Sequence, residues 1–213
     1  MIACGCNVNV RDAAGYTALL WASELGHTAV VEVLVAAGAS LDLGRYSDNN
    51  TALMMSAWNG HTAVVEALIA AGASINLRQN DGWSALMCAA WGGHTAAVNA
   101  LIAAGANLNF QLISSGWSAL MQAANNGHTA TVQTLIAAGA NPNIQNSDSW
   151  TALMCAAYYG HASVVTALLA APGIAVNKCN INGHTARRLA FDRGYTTIAS
   201  AIAAAGGTYV CSP

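Results

Sequence analysis

The chain is 213 residues long and carries 7 basic and 9 acidic side chains, a formal net charge of -2, which leaves no polycationic surface for a nucleic acid. Charged residues are 8% of the chain against about 25% in ordinary soluble proteins, and apolar residues are 55% with a mean hydropathy of +0.41, so disorder for want of a core is excluded. The longest apolar stretch, Val164 to Val176, is interrupted by Thr166, Pro172 and Gly173 and falls short of the roughly 20 residues that a membrane helix needs.

The first residues, Met1 to Asn7, have neither the basic start nor the apolar core of a secretory leader. Residues 1–9 read instead as the tail of a repeat that lacks its beginning, which points to a piece of a longer array or to an internal start. From there one pattern recurs to the end. Gly-His stands at 26–27, 60–61, 93–94, 127–128 and 160–161, in steps of 34, 33, 34 and 33. A second series, Gly5, Gly38, Gly72, Gly105, Gly139, Gly173 and Gly206, keeps the same period, as does a third, Thr17, Thr51, Ser84, Ser118, Thr151 and Thr185, each followed by Ala. Three marks at one period divide the chain into repeats at 10–43, 44–77, 78–110, 111–144 and 145–178, with a degenerate repeat at 179–213.

Within each repeat the Thr or Ser is a good helix N-cap before a run of helix formers. The first helix is short because glycine stops it at Gly26, Gly60, Gly93, Gly127 and Gly160. A second helix follows and ends at the glycine of the second series, where a left-handed residue past a helix end fits. Its apolar stripe in the second repeat is Val64, Val65, Leu68 and Ile69. Small, Asn-rich residues then suit a turn. No repeat has enough apolar surface to fold alone, so each buries its face against a neighbour. In the last repeat, Arg187, Arg188, Asp192 and Arg193 stand where the others carry Met, Cys, Tyr or Trp, which predicts a solvent-facing C-terminal cap.

The run Gly15-Tyr16-Thr17-Ala18-Leu19, then Ala22, then Gly26-His27, then Gly38-Ala39-Ser40-Leu41-Asp42 resembles the ankyrin repeat family, and the match continues through five full repeats and the degenerate sixth. Ala replaces the family's Pro at the first helical position (Ala18, Ala52, Ala85, Ala119, Ala152, Ala186), and Leu or Met replaces its His (Leu20, Met54, Met87, Met121, Met154). Ala forms helix well, so neither change threatens the fold. The resemblance implies an all-α, right-handed solenoid of helix-turn-helix units with short β-hairpin loops. It also implies a protein partner held in a concave groove.

Chemistry-bearing residues are sparse. His27, His61, His94, His128 and His161 occupy one position per repeat. Helix packing keeps such neighbours about 10 Å apart while zinc ligands sit at about 2 Å, so they are expected to bond backbone at the inter-helix turn. Cys4, Cys6, Cys88, Cys155, Cys179 and Cys211 match no zinc spacing, and a large core makes a disulfide framework unnecessary. Reduced thiols in an intracellular compartment, the cytoplasm, are therefore expected. No nucleophile-base-acid set, phosphate loop or nucleophile elbow occurs, so no enzyme, cofactor or metal is expected.

The aromatic residues carry the functional signal. Trp83, Trp117 and Trp150 precede the capping residue, a place that Tyr16, Asn50 and His184 take in other repeats. Trp58, Trp91 and Tyr158 fall at the end of the first helix, with Asn125 at the same place, while Asn59, Asn126 and Tyr159 follow one residue later. Trp21 is mid-helix. By resemblance these positions face the groove, and Tyr16, Trp21, Trp58, Asn59, Trp83, Trp91, Trp117, Asn125, Asn126, Trp150, Tyr158, Tyr159 and His184 are the expected partner-binding set. Trp83, Trp117 and Trp150 could equally pack over their own hairpins and stiffen them. From Gly82 through Ser147 there is no Asp, Glu, Lys or Arg, which suits an uncharged partner surface or simply reflects copied repeats. Two alternatives to partner binding stand beside it: an architectural segment of a longer array, and a small-molecule binder with a closed aromatic cleft.

Overall fold

The computed structural model describes residues 7–211. The readings that fall on residues 1–6, Cys4, Gly5 and Cys6 among them, lie outside the described residues. Two compact units meet between Asn107 and Leu108. The first holds α1 (Ala18–Glu24), α2 (Thr28–Ala36), α3 (Ala52–Trp58), α4 (Thr62–Ala70), α5 (Ala85–Gly92) and α6 (Thr95–Ala103). The second holds α7 (Ala119–Asn125), α8 (Thr129–Ala137), α9 (Ala152–Tyr159), α10 (Ala162–Leu169), α11 (Ala186–Asp192) and α12 (Thr196–Ala204). These are consecutive helix-turn-helix pairs. In each unit the first helices of successive pairs pack on one another, α1 on α3 and α3 on α5, then α7 on α9 and α9 on α11.

Helices of 7 to 9 residues are marginal alone, so packing holds them. Every first helix opens on the expected cap: the hydroxyls of Thr17, Thr51, Ser84, Ser118, Thr151 and Thr185 accept the backbone N–H three residues on. Each of the first five caps is followed by Ala and then by two large buried side chains, as in Leu86–Met87, Leu120–Met121 and Leu153–Met154. Burying such a side chain contributes roughly 1.5–3 kcal/mol. The alanines beside them, such as Ala89, Ala90, Ala123 and Ala124, are also buried. Their small size lets neighbouring helices approach.

Within each unit polar bonds tie successive pairs together. His61 Nε2 donates to the carbonyl of Glu24 (3.0 Å), His94 Nε2 to that of Trp58 (3.0 Å) and His161 Nε2 to that of Asn125 (2.9 Å). Each acceptor is the last residue of the preceding first helix. At the loops a second series repeats: Asn9, Asp42 and Asn76 accept the N–H of Ser40, Ser74 and Asn107 in the first unit. Asn109, Asn143 and Asn177 accept that of Asn141, Ala175 and Thr208 in the second. The loops are short hairpins closed by single backbone bonds, as from Gln79 N–H to the Trp83 carbonyl (2.9 Å), and the antiparallel bridge Gln111–Ser118 is the one strand-like pairing among the described residues. Successive loops share a single backbone bond, as between Asn80 N–H and the Asp48 carbonyl (3.0 Å).

Two sequence expectations are corrected at the C-terminal side. Cys179 and Cys211 form a disulfide with their Cα atoms 5.7 Å apart, so reduced thiols do not hold for this pair. The expectation rested on the size of the core, whereas the loops of successive pairs run side by side and bring these two residues together: Thr208 N–H bonds Asn177 Oδ1 at 2.7 Å, one repeat length from its partner. The tail that carries Cys211 also covers Arg187, which is half-buried rather than solvent-facing. The Arg187 guanidinium lies 3.9 Å from the Tyr209 ring centroid and donates to Gly207 (3.1 Å). Arg188, Asp192 and Arg193 are exposed as the cap reading expects, and Arg188 pairs with Asp192 (2.7 Å). No helix among the described residues is long and apolar enough to cross a membrane.

Cys88 and Cys155 are free and fully buried, and burial pushes both thiols up to about 12. The unfolded thiols ionise near 9.0, so the unfolded state gains as pH rises from about 9 towards 12. Their contribution to stability is complete below that window and lost across it. Peptide mapping after thiol labelling at pH 8 should find Cys88 and Cys155 unmodified in the folded chain and modified once it is denatured.

Gly60 sits at φ +74°, and a Cβ there would lie 2.4 Å from His94 Nδ1; Gly72 sits at φ +89° with nothing within 4 Å. Gly72→Ala should therefore cost about 1 kcal/mol, the left-handed penalty alone. Gly60→Ala should cost about 2 kcal/mol or more, because it also displaces His94 from its carbonyl. Denaturation midpoints of the two variants check the difference. Reduction of the disulfide opens a loop with a sequence separation of 32, worth roughly 3–4 kcal/mol by chain entropy. Thermal melts with and without reductant should differ for the wild type and coincide for Cys179→Ser/Cys211→Ser.

Candidate functional site

Each unit gathers aromatic side chains beside an open recess. In the first unit the caps fix where α3 and α5 begin, and Trp58 and Trp91 end up at equivalent ends of those helices. Their rings stack with centroids 4.4 Å apart and an interplanar angle of 17°. Trp83, in the loop before α5, sets its edge against Trp58 at 5.3 Å. Trp58 remains 36% exposed and Trp91 41% exposed. The three rings thus hold one another in place and still present apolar surface to solvent, an arrangement that suits an anchor.

Beside them is a recess of about 350 Å³ that Trp58, Trp83, Glu24, Arg45, Asp48 and Asn50 help to line. Arg45 Nε donates to Asp48 Oδ1 at 2.7 Å and its Nη2 pairs with Oδ2, while Nη1 donates to the Tyr16 hydroxyl at 2.8 Å. The Arg45 bond holds the Asp48 carboxyl below the usual carboxylate range and raises Arg45 in turn. Glu24 Oε2 and Asn50 Oδ1 are buried with no hydrogen-bond partner among the described residues. Asn59 also lines this recess, but its Nδ2 is committed to the carbonyls of Met55 (3.0 Å) and Glu24 (3.3 Å). Tyr16 and Trp21 form a separate stack at 4.2 Å, and Trp21 Nε1 donates to Asp12 Oδ2 at 3.3 Å. Backbone bonds, that from Tyr16 first, lower the Asp12 carboxyl.

The second unit repeats the theme with different residues. Trp150 meets Tyr158 edge-on at 5.3 Å, and Tyr158 meets Tyr159 edge-on at 5.1 Å. Arg193 lies over the Tyr158 ring at 4.5 Å. Tyr159 is 49% exposed. These rings and Trp117, Asn125 and His184 line a recess of about 440 Å³. Asn126 stands beside it and accepts from Asn125 Nδ2 at 3.1 Å. Of the pre-cap tryptophans, Trp83 packs against Trp58 of the preceding pair and Trp150 against Tyr158 of the helix that follows it, and both stay half-exposed.

The recess walls include polar residues that the aromatic signal alone does not reveal: Glu24, Arg45, Asp48 and Asn50 in the first unit, Asn146, Asp148, Asn180 and Asn182 in the second. Asn146 and Asn180 carry one sequence signal, an Asx residue five places before the capping Thr, as Asp12 does. All three accept two backbone N–H bonds across the loop tip, Asp12 from Ala14 and Tyr16, Asn146 from Asp148 and Trp150, Asn180 from Asn182 and His184. Among the described residues no group of three or more His, Cys, Asp or Glu is placed to hold a metal ion.

A search of curated proteins returned no match. The family profile described as ankyrin repeats (3 copies) matches residues 1–79, 41–112, 71–146 and 120–211. With twelve helices in consecutive pairs among the described residues and that profile spanning residues 1–211, the chain belongs to the ankyrin repeat family.

Proposed function

We propose that the chain binds a partner protein through the aromatic clusters of its two units and performs no catalysis. Ankyrin repeats are generally protein-protein interaction modules. The observation that carries the reading is the Trp58–Trp91 stack, two indoles held rigidly by each other yet 36% and 41% exposed. Ordering two large side chains before a guest arrives removes entropy that binding otherwise costs, and Trp and Tyr dominate the energetic centres of interfaces. Trp150, Tyr158 and Tyr159 offer the second unit's anchors in the same manner. Polar side chains around each cluster, Asn125 and Asn126 among them, orient the guest. On the repeat boundaries proposed from the sequence, guest-facing residues recur once per repeat on a constant scaffold.

Both recesses are open rather than enclosed, which favours a protruding side chain of a polypeptide over a small molecule buried on most of its surface. The charge-free run from Gly82 through Ser147 makes hydrophobic burial the main source of affinity there, with little dependence on salt.

Peptides selected from a displayed random library on the full chain test this. Trp58→Ala/Trp91→Ala or Trp150→Ala/Tyr158→Ala should weaken the selected peptides by about 30-fold or more, the equivalent of one anchor of about 2 kcal/mol. Helix content should be unchanged in both variants. Peptides that bind every folded variant as tightly as the wild type would contradict the reading.

A further inference from the structure

The recess of the second unit holds a hydrogen-bond donor that the folded chain leaves unused. Asn180 is 5% exposed. Its Oδ1 accepts the N–H groups of Asn182 (3.0 Å) and His184 (2.9 Å), which fixes the orientation of the amide, since only the oxygen can accept. The other end, Nδ2, is buried with no acceptor among the described residues. The equivalent residue near the start of the chain shows what that second terminal atom does when a partner exists. Asp12 braces its loop through Oδ1 in the same way and gives Oδ2 to the indole N–H of Trp21. In the last helix pair Leu189 stands where Trp21 stands, four residues after the capping Thr, and brings no polar atom. A buried donor left without an acceptor is costly, and a guest that supplies the acceptor recovers that cost.

Asp148 lines the same recess. Its backbone carbonyl accepts Ile181 N–H at 3.1 Å, which sets the loops of Asp148 and Asn180 side by side. An amide donor and a carboxylate acceptor together match a primary carboxamide: its C=O takes the Asn180 N–H and its NH2 donates to Asp148. A guest carboxylate would meet the charge of Asp148, and an ammonium or guanidinium would leave Asn180 unpaired. Trp150 and Tyr158 supply flat walls for a planar group, and about 440 Å³ is ample for a side chain. The depth of Asn180 favours the longer reach of glutamine over asparagine.

We infer that this recess receives a glutamine side chain of the bound polypeptide, recognised by Asn180 Nδ2 and the Asp148 carboxylate. The inference rests on the partner-binding reading and names the residue that the second unit selects.

The test titrates N-acetyl-glutamine N-methylamide into the isotope-labelled full chain and follows the side-chain amide resonance of Asn180. The glutamate and methionine analogues, matched in length, are the comparisons. The glutamine compound should give a saturable shift, and both analogues should bind at least about tenfold more weakly, the difference expected for one buried hydrogen bond. Asn180→Asp keeps the oxygen that braces the loop and removes the donor; the buried carboxylate beside Asp148 should lower the thermal midpoint, and with helix content retained the affinity for the glutamine compound should fall at least about tenfold. Asp148→Asn, which leaves Asn180 in place, should narrow the preference for glutamine over glutamate. Equal affinity for the three compounds, undiminished binding by Asn180→Asp, or no saturable shift would each overturn the inference. The probe needs no polypeptide partner, so its failure leaves the selected-peptide result standing, and unaltered peptide binding by the aromatic variants leaves the probe result standing.

Discussion

The architecture depends on polar bonds that cross from one helix pair to the next at two fixed heights. At one height a histidine ring spans to the final carbonyl of the preceding first helix, as His94 does to Trp58. At the other an Asx side chain in one loop accepts the leading N–H of the following loop, as Asn143 does from Ala175. Apolar burial drives the pairs together but is indifferent to small sliding motions. These directional bonds set the register and so decide which side chains become neighbours. Trp58 and Trp91 stack because their helices end at matched levels, and the His94 bond lands on Trp58 itself. The aromatic cluster is therefore braced through its own backbone.

Repeat, caps and family were legible in the sequence because each rests on a local rule copied six times. Thr or Ser before Ala marks the helix start whatever surrounds it, and a glycine that must adopt positive φ marks the stop, as Gly60 does. Spacing argued against an ion shared by the histidines and pointed to backbone bonds; that His61, His94 and His161 reach the preceding pair was not read from it. What did not follow lies where neighbouring pairs contribute unlike residues to one place. Arg45, Asp48 and Asn50 stand in the loop before α3 and Glu24 at the end of α1, and only the fold brings them to one recess.

The disulfide escaped for a related reason. Cys179 and Cys211 hold adjacent places in successive loops, and loops that exchange hydrogen bonds approach more closely than helices whose side chains interdigitate. Arg187 escaped with it, since only the returning tail, with Tyr209 over the guanidinium, turns a surface charge into a covered one. The asparagines five places before the caps were visible as loop residues. Their second function, a spare donor in the case of Asn180, depends on Leu189 offering nothing to bond.

The clusters also show how one scaffold can present different chemistries. The first unit surrounds its indoles with buried acceptors, Glu24 Oε2 and Asn50 Oδ1, whereas the second offers the buried donor of Asn180 beside tyrosines. Exchanging a few loop and helix-end residues alters what is recognised while the caps, glycines and cross-pair bonds stay constant. A crystal structure of the full chain with a selected peptide bound tests the central claim most directly. Peptide density lying against Trp58 and Trp91, or against Trp150 and Tyr158, is the result the account predicts. Peptide density confined to the outer helices α2, α4, α6, α8, α10 and α12, with the aromatic rings still bare, would contradict it.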